Sequence, residues 1–233
     1  MANAAQPPAR ITTKAGLVLS TAVTHQSDVF ERFYDAYDKA FVLPNEKEDR
    51  AGFARCFELN FGAAYERLSQ AYGPYSEVCL VAEEGSREIG GANFLAMPVN
   101  ADTITANLNY IFTHQAARRT GRLSLLLEGV KETLAALYPG RSRILMFVEQ
   151  NDPFRMSAED YARDSAYTGL DQFERLRIWA RRGAQVVDFD YVQPPLSVDQ
   201  QPDDTLVYSV LGAEAESLNA CVFQAHLLRF FGV

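Results

Sequence analysis

The sequence predicts an α+β fold, layered α/β/α around a mixed, mostly antiparallel central sheet. Three observations predict it. Between Glu77 and Thr113, three segments of period two follow one another with short turns, the pattern of an antiparallel meander. An amphipathic helix and the continuously apolar run Ile144 to Val148 come next, which reads as a βαβ unit ending in a doubly covered strand. Helical periodicity before the meander and after the last strands supplies the flanking layers.

In order along the chain, Met1 to Arg10 is Ala/Pro-rich and has no apolar stretch of the signal-peptide kind. Residues 1–12 are therefore expected as a disordered lead to a single domain, 13–233. A short strand is expected at Gly16 to Ser20. An amphipathic helix follows from the cap candidate Ser27 to Phe41, with Phe30, Phe33, Tyr34, Tyr37 and Phe41 on its apolar face and Pro44 to stop it. A second helical stretch, Glu46 to Tyr72, is expected to break near Gly62.

The meander strands are Glu77–Glu83, Glu88–Met97 and Thr103–Thr113. In the third, alternation puts Ala106, Leu108, Tyr110 and Phe112 on one face, and Thr105, Asn107, Asn109 and Ile111 on the other. The helix Arg122–Tyr138 carries an apolar stripe of leucines and Val130 and ends at Pro139-Gly140. Asn151 to Gly169 reads as loop, followed by a helix ending at Gly183. Strands at Gln185–Val192 and Thr205–Leu211 and a last helix, 217–231, complete the order. That helix is apolar enough to pack on the core or to form a homodimer.

Composition narrows the function classes. With 48% hydrophobic residues, a 233-residue chain can build one well-packed core. A net charge of -8 argues against a nucleic-acid partner, which calls for a basic surface, and leaves attraction of a cationic amine open. No apolar run approaches the ~20 residues that span a bilayer, so no membrane partner is expected. Cys56, Cys79 and Cys221 are widely spaced in apolar stretches. They read as buried free thiols of a cytoplasmic protein, with no metal site.

The segment that carries chemistry runs from Thr113 to Ser124, leaving a strand and opening a helix. Arg118, Arg119 and Arg122 cluster there in an acidic protein, and Gly121 removes a Cβ from the helix start. A helix N-terminus offers unpaired N–H groups and partial positive charge, so the segment reads as a diphosphate or carboxylate cradle. A solvated basic turn is the competing reading.

Arg118-x-x-Gly121-x-Leu123 resembles the acyl-CoA pyrophosphate loop of the GCN5-related N-acetyltransferases (GNAT superfamily), with Leu123 where that loop has Gly or Ala. Ile144–Val148 with Glu149-Gln150-Asn151 looks like the family's fifth strand and the asparagine after it. Arg177 to Ala184 is similar to its helix ending in a conserved glycine, with Trp179 in place of the usual tyrosine. The resemblance implies GNAT topology and acetyl-CoA, or another acyl-CoA, as co-substrate.

It further implies that Tyr110, Ile111 and Phe112 lie along the pantetheine arm, that Arg119, Thr120, Gly121, Arg122, Leu123 and Ser124 hold the diphosphate, and that Asn151 lies near the arm or the substrate entrance. Transfer would be direct, to a primary amine of a small molecule or peptide. With the tyrosine replaced, Glu149 is the first candidate base and Tyr191 a substitute proton donor. Glu149 as a solvated strand cap and Tyr191 as a core residue are the competing readings. The segment 152–169 could be a lid over the cleft. Two alternatives keep the fold: a longer-chain acyltransferase using acyl-CoA or acyl-carrier protein, with Phe94, Phe112 and Phe147 lining an acyl tunnel, and a non-catalytic CoA sensor. No metal or redox cofactor is implied.

Overall fold

The structure, a computed structural model, describes residues 2–41, 47–195, 201–214 and 218–233. In chain order its elements are β1 (Arg10–Thr12), β2 (Val18–Ala22), α1 (Asp28–Ala40), α2 (Arg50–Glu58), α3 (Gly62–Tyr72), β3 (Ser76–Glu84), β4 (Arg87–Pro98) and β5 (Thr103–Thr113). Then come α4 (Arg122–Leu137), β6 (Arg143–Asn151), α5 (Ala158–Thr168), α6 (Gln172–Ala180), β7 (Gln185–Val186), β8 (Leu206–Leu211) and α7 (Ala220–Phe230). The α+β class is as the sequence predicts. The chain divides into two compact units, Met1–Leu145 with Asn219–Val233, and Met146–Leu218, where one domain over 13–233 was expected. The division falls inside β6, an apolar strand with none of the linker composition that marks a boundary in sequence.

In the first unit, β1 to β5 pair as antiparallel neighbours in sequence order. The expected disordered lead is a correction, because residues 4–12 are docked. The Ala4 amide donates to the Asn60 carbonyl at 2.8 Å, and the hydroxyls of Ser76 and Thr21 donate to the Ala5 and Pro8 carbonyls, each at 2.8 Å. Proline lacks an N–H but keeps its acceptor, so an Ala/Pro segment can lie extended wherever side-chain donors face it.

Helix α1 starts where Ser27 accepts the Phe30 amide at 3.1 Å, with Asp28 and Glu31 in its first turn and Lys39 in its last. Pro44, expected to stop it, and Glu46, expected to open the second helical stretch, lie outside the described residues. That stretch breaks where expected, between α2 and α3 just before Gly62. Phe30, Phe33, Ala36 and Tyr37 of α1 and Phe53 and Phe57 of α2 close on Cys79, Val81 and Phe112 of the sheet. Farther along the same face, Tyr65 of α3 and Phe230 of α7 pack with Leu95 and Met97. The opposite face is covered by α4, whose Gly129 lets Leu19 of β2 approach closely.

The expected alternation of β5 fails at Asn109. Phe94 pairs with Leu108 but Asn93 with Tyr110, so Asn109 is an extra residue, a β-bulge. The bulge shifts the phase by one. Thr105, Asn107, Tyr110 and Phe112 share the α1–α3 face, while Ala106 and Leu108 look toward α4.

In the second unit, β8 pairs antiparallel with the end of β6 and with β7. Two expectations change there. Residues 152–169, read as loop, hold α5, capped by Ser157 accepting the Asp160 amide at 3.0 Å and ended by left-handed Gly169. Ser157-x-x-Asp160 was the missed signal, because its helix lacks a strong apolar stripe. The strand expected over Gln185–Val192 is two residues long. After Val187, whose amide still reaches Tyr208, the Phe189 amide turns back to the Val187 carbonyl at 2.9 Å, a γ-turn that ends the ladder.

Candidate functional site

The arginine-rich segment is built by β5, a single 3-10 turn at Gln115–Ala117, and the start of α4. Gly121 is the cap of α4 with φ 79°, a conformation open to glycine, and no atom lies within 4 Å of where its Cβ would stand. Arg119 is also left-handed, at φ 61°. Backbone held in that region by a side-chain-bearing residue is a feature of ligand-binding loops. The Ser124 amide is taken by the Gly121 carbonyl at 3.0 Å, whereas the amides of Arg122 and Leu123 open the helix with no carbonyl one turn behind them.

The three arginines separate by role. Arg122 pairs with Glu84 at 2.8 Å and also donates to the Thr120 carbonyl, so it fastens the helix start to the end of β3. Arg118 and Arg119 are exposed and have no ion-pair partner among the described residues. The sequence alone could not make this distinction, since Glu84 is 38 residues from Arg122.

Tyr110 and Phe112 turn their rings into the aromatic cluster. Tyr110 meets Tyr37 at 4.7 Å between centroids, and Phe112 meets Phe33 at 5.8 Å. What Tyr110, Ile111 and Phe112 can offer a ligand is therefore backbone, with Ile111 alone looking toward the α4 face. Phe94 and Phe112 lie on opposite faces of the sheet, so they do not line a common tunnel.

In the second unit the two candidate catalytic residues meet: the Tyr191 hydroxyl donates to Glu149 Oε1, and Gln193 donates to the same oxygen at 3.4 Å. Tyr191 is buried, with its ring 4.6 Å from that of Tyr208. Burial first, then the charge of Glu149, holds its phenol far above the ordinary value. Asn151 donates to Asp164 of α5 at 3.2 Å, so its amide is partly engaged. Trp179 is buried on α6, which stops at Ala180 with left-handed Gly183 after it.

A cluster that sequence reasoning missed lies under the bulge. Glu77 opens β3 on the α1–α3 face and is 5% exposed. Its backbone is clamped by Asn60, which accepts its amide and donates to its carbonyl, both at 2.9 Å. Asn93 Nδ2 donates to Glu77 Oε1 at 2.5 Å and Asn109 Nδ2 donates to the same oxygen at 3.4 Å. Asn109 also donates to Asn93 at 3.1 Å and accepts from Asn107 at 3.1 Å. Burial pushes the carboxyl of Glu77 up to about 7, against the opposing pull of the two amides. The available signal was three asparagines in otherwise apolar strands, but only the bulge brings Asn109 to the face of Asn93.

Of the three cysteines expected to be buried, only Cys79 is; Cys56 and Cys221 lie on outward sides of α2 and α7. Among the described residues no helix is long and apolar enough to cross a membrane, and no cluster of metal-ligating side chains forms.

No family model matches the sequence, and no curated protein matches it. Solved structures do. A GNAT-family protein from Bacteroides thetaiotaomicron superposes with a TM-score of 0.56 at 16% identity, over 88% of this chain and 92% of that one. A GNAT-family protein from Desulfovibrio desulfuricans gives a TM-score of 0.43 at 17% identity, over 84% of this chain and 98% of that one. A GNAT-family acetyltransferase from Elizabethkingia anophelis with acetyl-CoA bound gives 0.43 at 10% identity, over 86% and 100%. The first of these likenesses carries the assignment: the chain has the GNAT fold.

Proposed function

We propose that this chain is an acyl-CoA-dependent N-acetyltransferase that moves an acetyl group to a primary amine of a small molecule or peptide. The observation that carries the reading is the start of α4 on a GNAT fold, where a left-handed glycine and two exposed arginines, without an ion-pair partner among the described residues, front the first amides of the helix. That arrangement fits a diphosphate: fixed N–H donors, a positive helix end, exposed guanidinium groups and no Cβ at the point of approach. Leu123 keeps its amide for this purpose, although its side chain is larger than the Gly or Ala of the family loop.

With the diphosphate held by residues 118–123, the pantetheine arm is proposed to run back along β5 and to hydrogen-bond the backbone of Tyr110, Ile111 and Phe112. The thioester supplies an activated acyl carbon, and a β5 amide supplies the hydrogen bond that stabilises its developing oxyanion. Glu149 and Tyr191 contribute a fixed negative charge rather than a mobile proton. A phenol held so far above its ordinary value is a poor acid toward a thiolate, whose conjugate thiol titrates near 8.5. The carboxylate it anchors attracts a cationic amine. No observation favours the longer-chain reading, since Phe94 and Phe112 look to opposite sides of the sheet.

The test is a calorimetric titration with acetyl-CoA. Wild type is expected to bind at micromolar concentration, and Arg118→Ala/Arg119→Ala about tenfold to a hundredfold more weakly, the worth of one or two charged hydrogen bonds. No binding by wild type near a millimolar would sink the reading. Tight binding with no acyl transfer to any amine would instead make the chain a CoA sensor.

A further inference from the structure

Resting on that acyl-transfer reading, we infer that Glu77 is the proton acceptor for the incoming amine, presented by Asn93 and by Asn109 of the β5 bulge. Three observations lead there. The carboxyl is buried, yet no lysine or arginine pairs with it among the described residues; its partners are neutral amides. A fold stabilises an interior carboxylate by pairing it with a cation, and one held by amides alone remains able to take up a proton. One of the two amides on it belongs to the bulge residue Asn109, and bulges re-aim side chains beside functional sites. Asn109 also immediately precedes Tyr110, the first of the three residues proposed to carry the arm, so the cluster lies where the reacting end of the arm would fall.

The proton balance is simple. The ammonium group of the acceptor gives one proton to the Glu77 carboxylate and becomes a neutral amine. Its nitrogen lone pair forms the N–C bond to the thioester carbon, and the C–S bond breaks with its electron pair leaving on sulfur. The second amine proton goes to that thiolate, giving CoA thiol and an amide, and the Glu77 carboxylic acid then releases its proton to water. Among the described residues, the titratable groups that interact electrostatically with Glu77 are thiols: Cys79 on its own strand, pushed upward by burial, and the exposed Cys56 of α2. The Asn60 side chain holds only its backbone.

Two probe acceptors separate proton removal from everything else. Propylamine arrives as an ammonium ion, whereas hydroxylamine is already neutral at pH 7. Acetyl transfer to each is measured for wild type, Glu77→Gln and Glu77→Asp, with acetyl-CoA affinity measured beside it and near-UV circular dichroism as the check of folding. The expected result is a loss of about 100-fold or more for Glu77→Gln with propylamine and of less than tenfold with hydroxylamine, at unchanged acetyl-CoA affinity. Glu77→Asp should recover part of the propylamine rate, and the wild-type propylamine rate should rise with a midpoint near 7. Equal losses with both amines would overturn the assignment, as would a Glu77→Gln variant that keeps the wild-type pH profile, or no turnover of either probe by wild type that binds acetyl-CoA. If wild type does not bind acetyl-CoA at all, the acyl-transfer reading falls and takes this assignment with it.

Discussion

Tyr191 and Glu149 are 42 residues apart in the chain and share one hydrogen bond, so each can be probed through the other. If the pair acts by charge, Glu149→Gln should raise KM for the amine several-fold while kcat and acetyl-CoA affinity stay near wild type. Tyr191→Phe should act in the same direction and more weakly, because the carboxylate remains. Steady-state kinetics with the amine varied reads both, and a fall in kcat at constant KM would contradict the charge role. Glu77→Gln is expected to show the opposite split, which makes the two carboxylates separable in one experiment. Both roles depend on side-chain contacts between residues distant in the chain. Glu149 was visible at the end of an apolar strand, but Tyr191 was assigned to a strand that the γ-turn at Phe189 cuts short.

At the scale of elements, β4 and β5 set the geometry of the first unit's part of the candidate site. Gly90 sits against Thr113 in this pair, and a Cβ built there would stand 2.1 Å from the Phe112 carbonyl oxygen. That obstacle is backbone and cannot swing aside. Gly90→Ala should therefore cost about 1–3 kcal/mol of stability, the usual penalty of overpacking, and should weaken acetyl-CoA binding by displacing the residues that lead into the arginine loop. Urea unfolding with parallel calorimetry checks it; a variant as stable as wild type would mean that β4 and β5 can separate without loss. The existence of these strands was legible from their period-two pattern. Their faces were not, because one bulge residue, Asn109, reverses the phase beyond it and local sequence carries no mark of which residue will be left unpaired. The helix at Ala158–Thr168 was missed for a different reason. Its cap and terminal glycine are present in sequence, but its apolar face is too sparse to register as periodic.

For the molecule as a whole, two buried titratable groups of the first unit should shape stability against pH in opposite senses. Burial on folding pushes the Glu77 carboxyl up from 4.5 to about 7. Between those values only the folded protein holds the proton, so its contribution is complete below 4.5 and is lost as pH rises to 7, about 1.4 kcal/mol per unit and about 3 kcal/mol in all. His226, buried beside Thr105 and repelled by Arg229, is pushed down to about 3 from 6.5, first by burial and then by that charge. There only the unfolded chain takes the proton, so stability falls as pH drops from 6.5 toward 3. Between 4.5 and 6.5 the two slopes cancel. Relative to wild type, Glu77→Gln should gain stability with rising pH across that interval, by about 1.4 kcal/mol per unit, and level off above 7. Denaturant unfolding at pH 4.5, 5.5, 6.5 and 7.5 checks it, and a pH-independent difference would remove the raised carboxyl from the account.

By itself the sequence determined the α+β class, the meander, the helix that follows it and the position of the arginine loop. These rest on periodicity, caps and glycines within a dozen residues of one another, the range over which backbone preference acts. The tertiary structure decided the rest. It took Arg122 out of the anion cradle by setting Glu84 beside it, docked the proline-rich lead onto side-chain donors of Thr21 and Ser76, joined Tyr191 to Glu149, and gathered Glu77, Asn93 and Asn109 around one carboxyl. Each of these depends on partners far apart in the chain, and the last also on burial and on the register of a single bulge, none of which is written in the residues on either side.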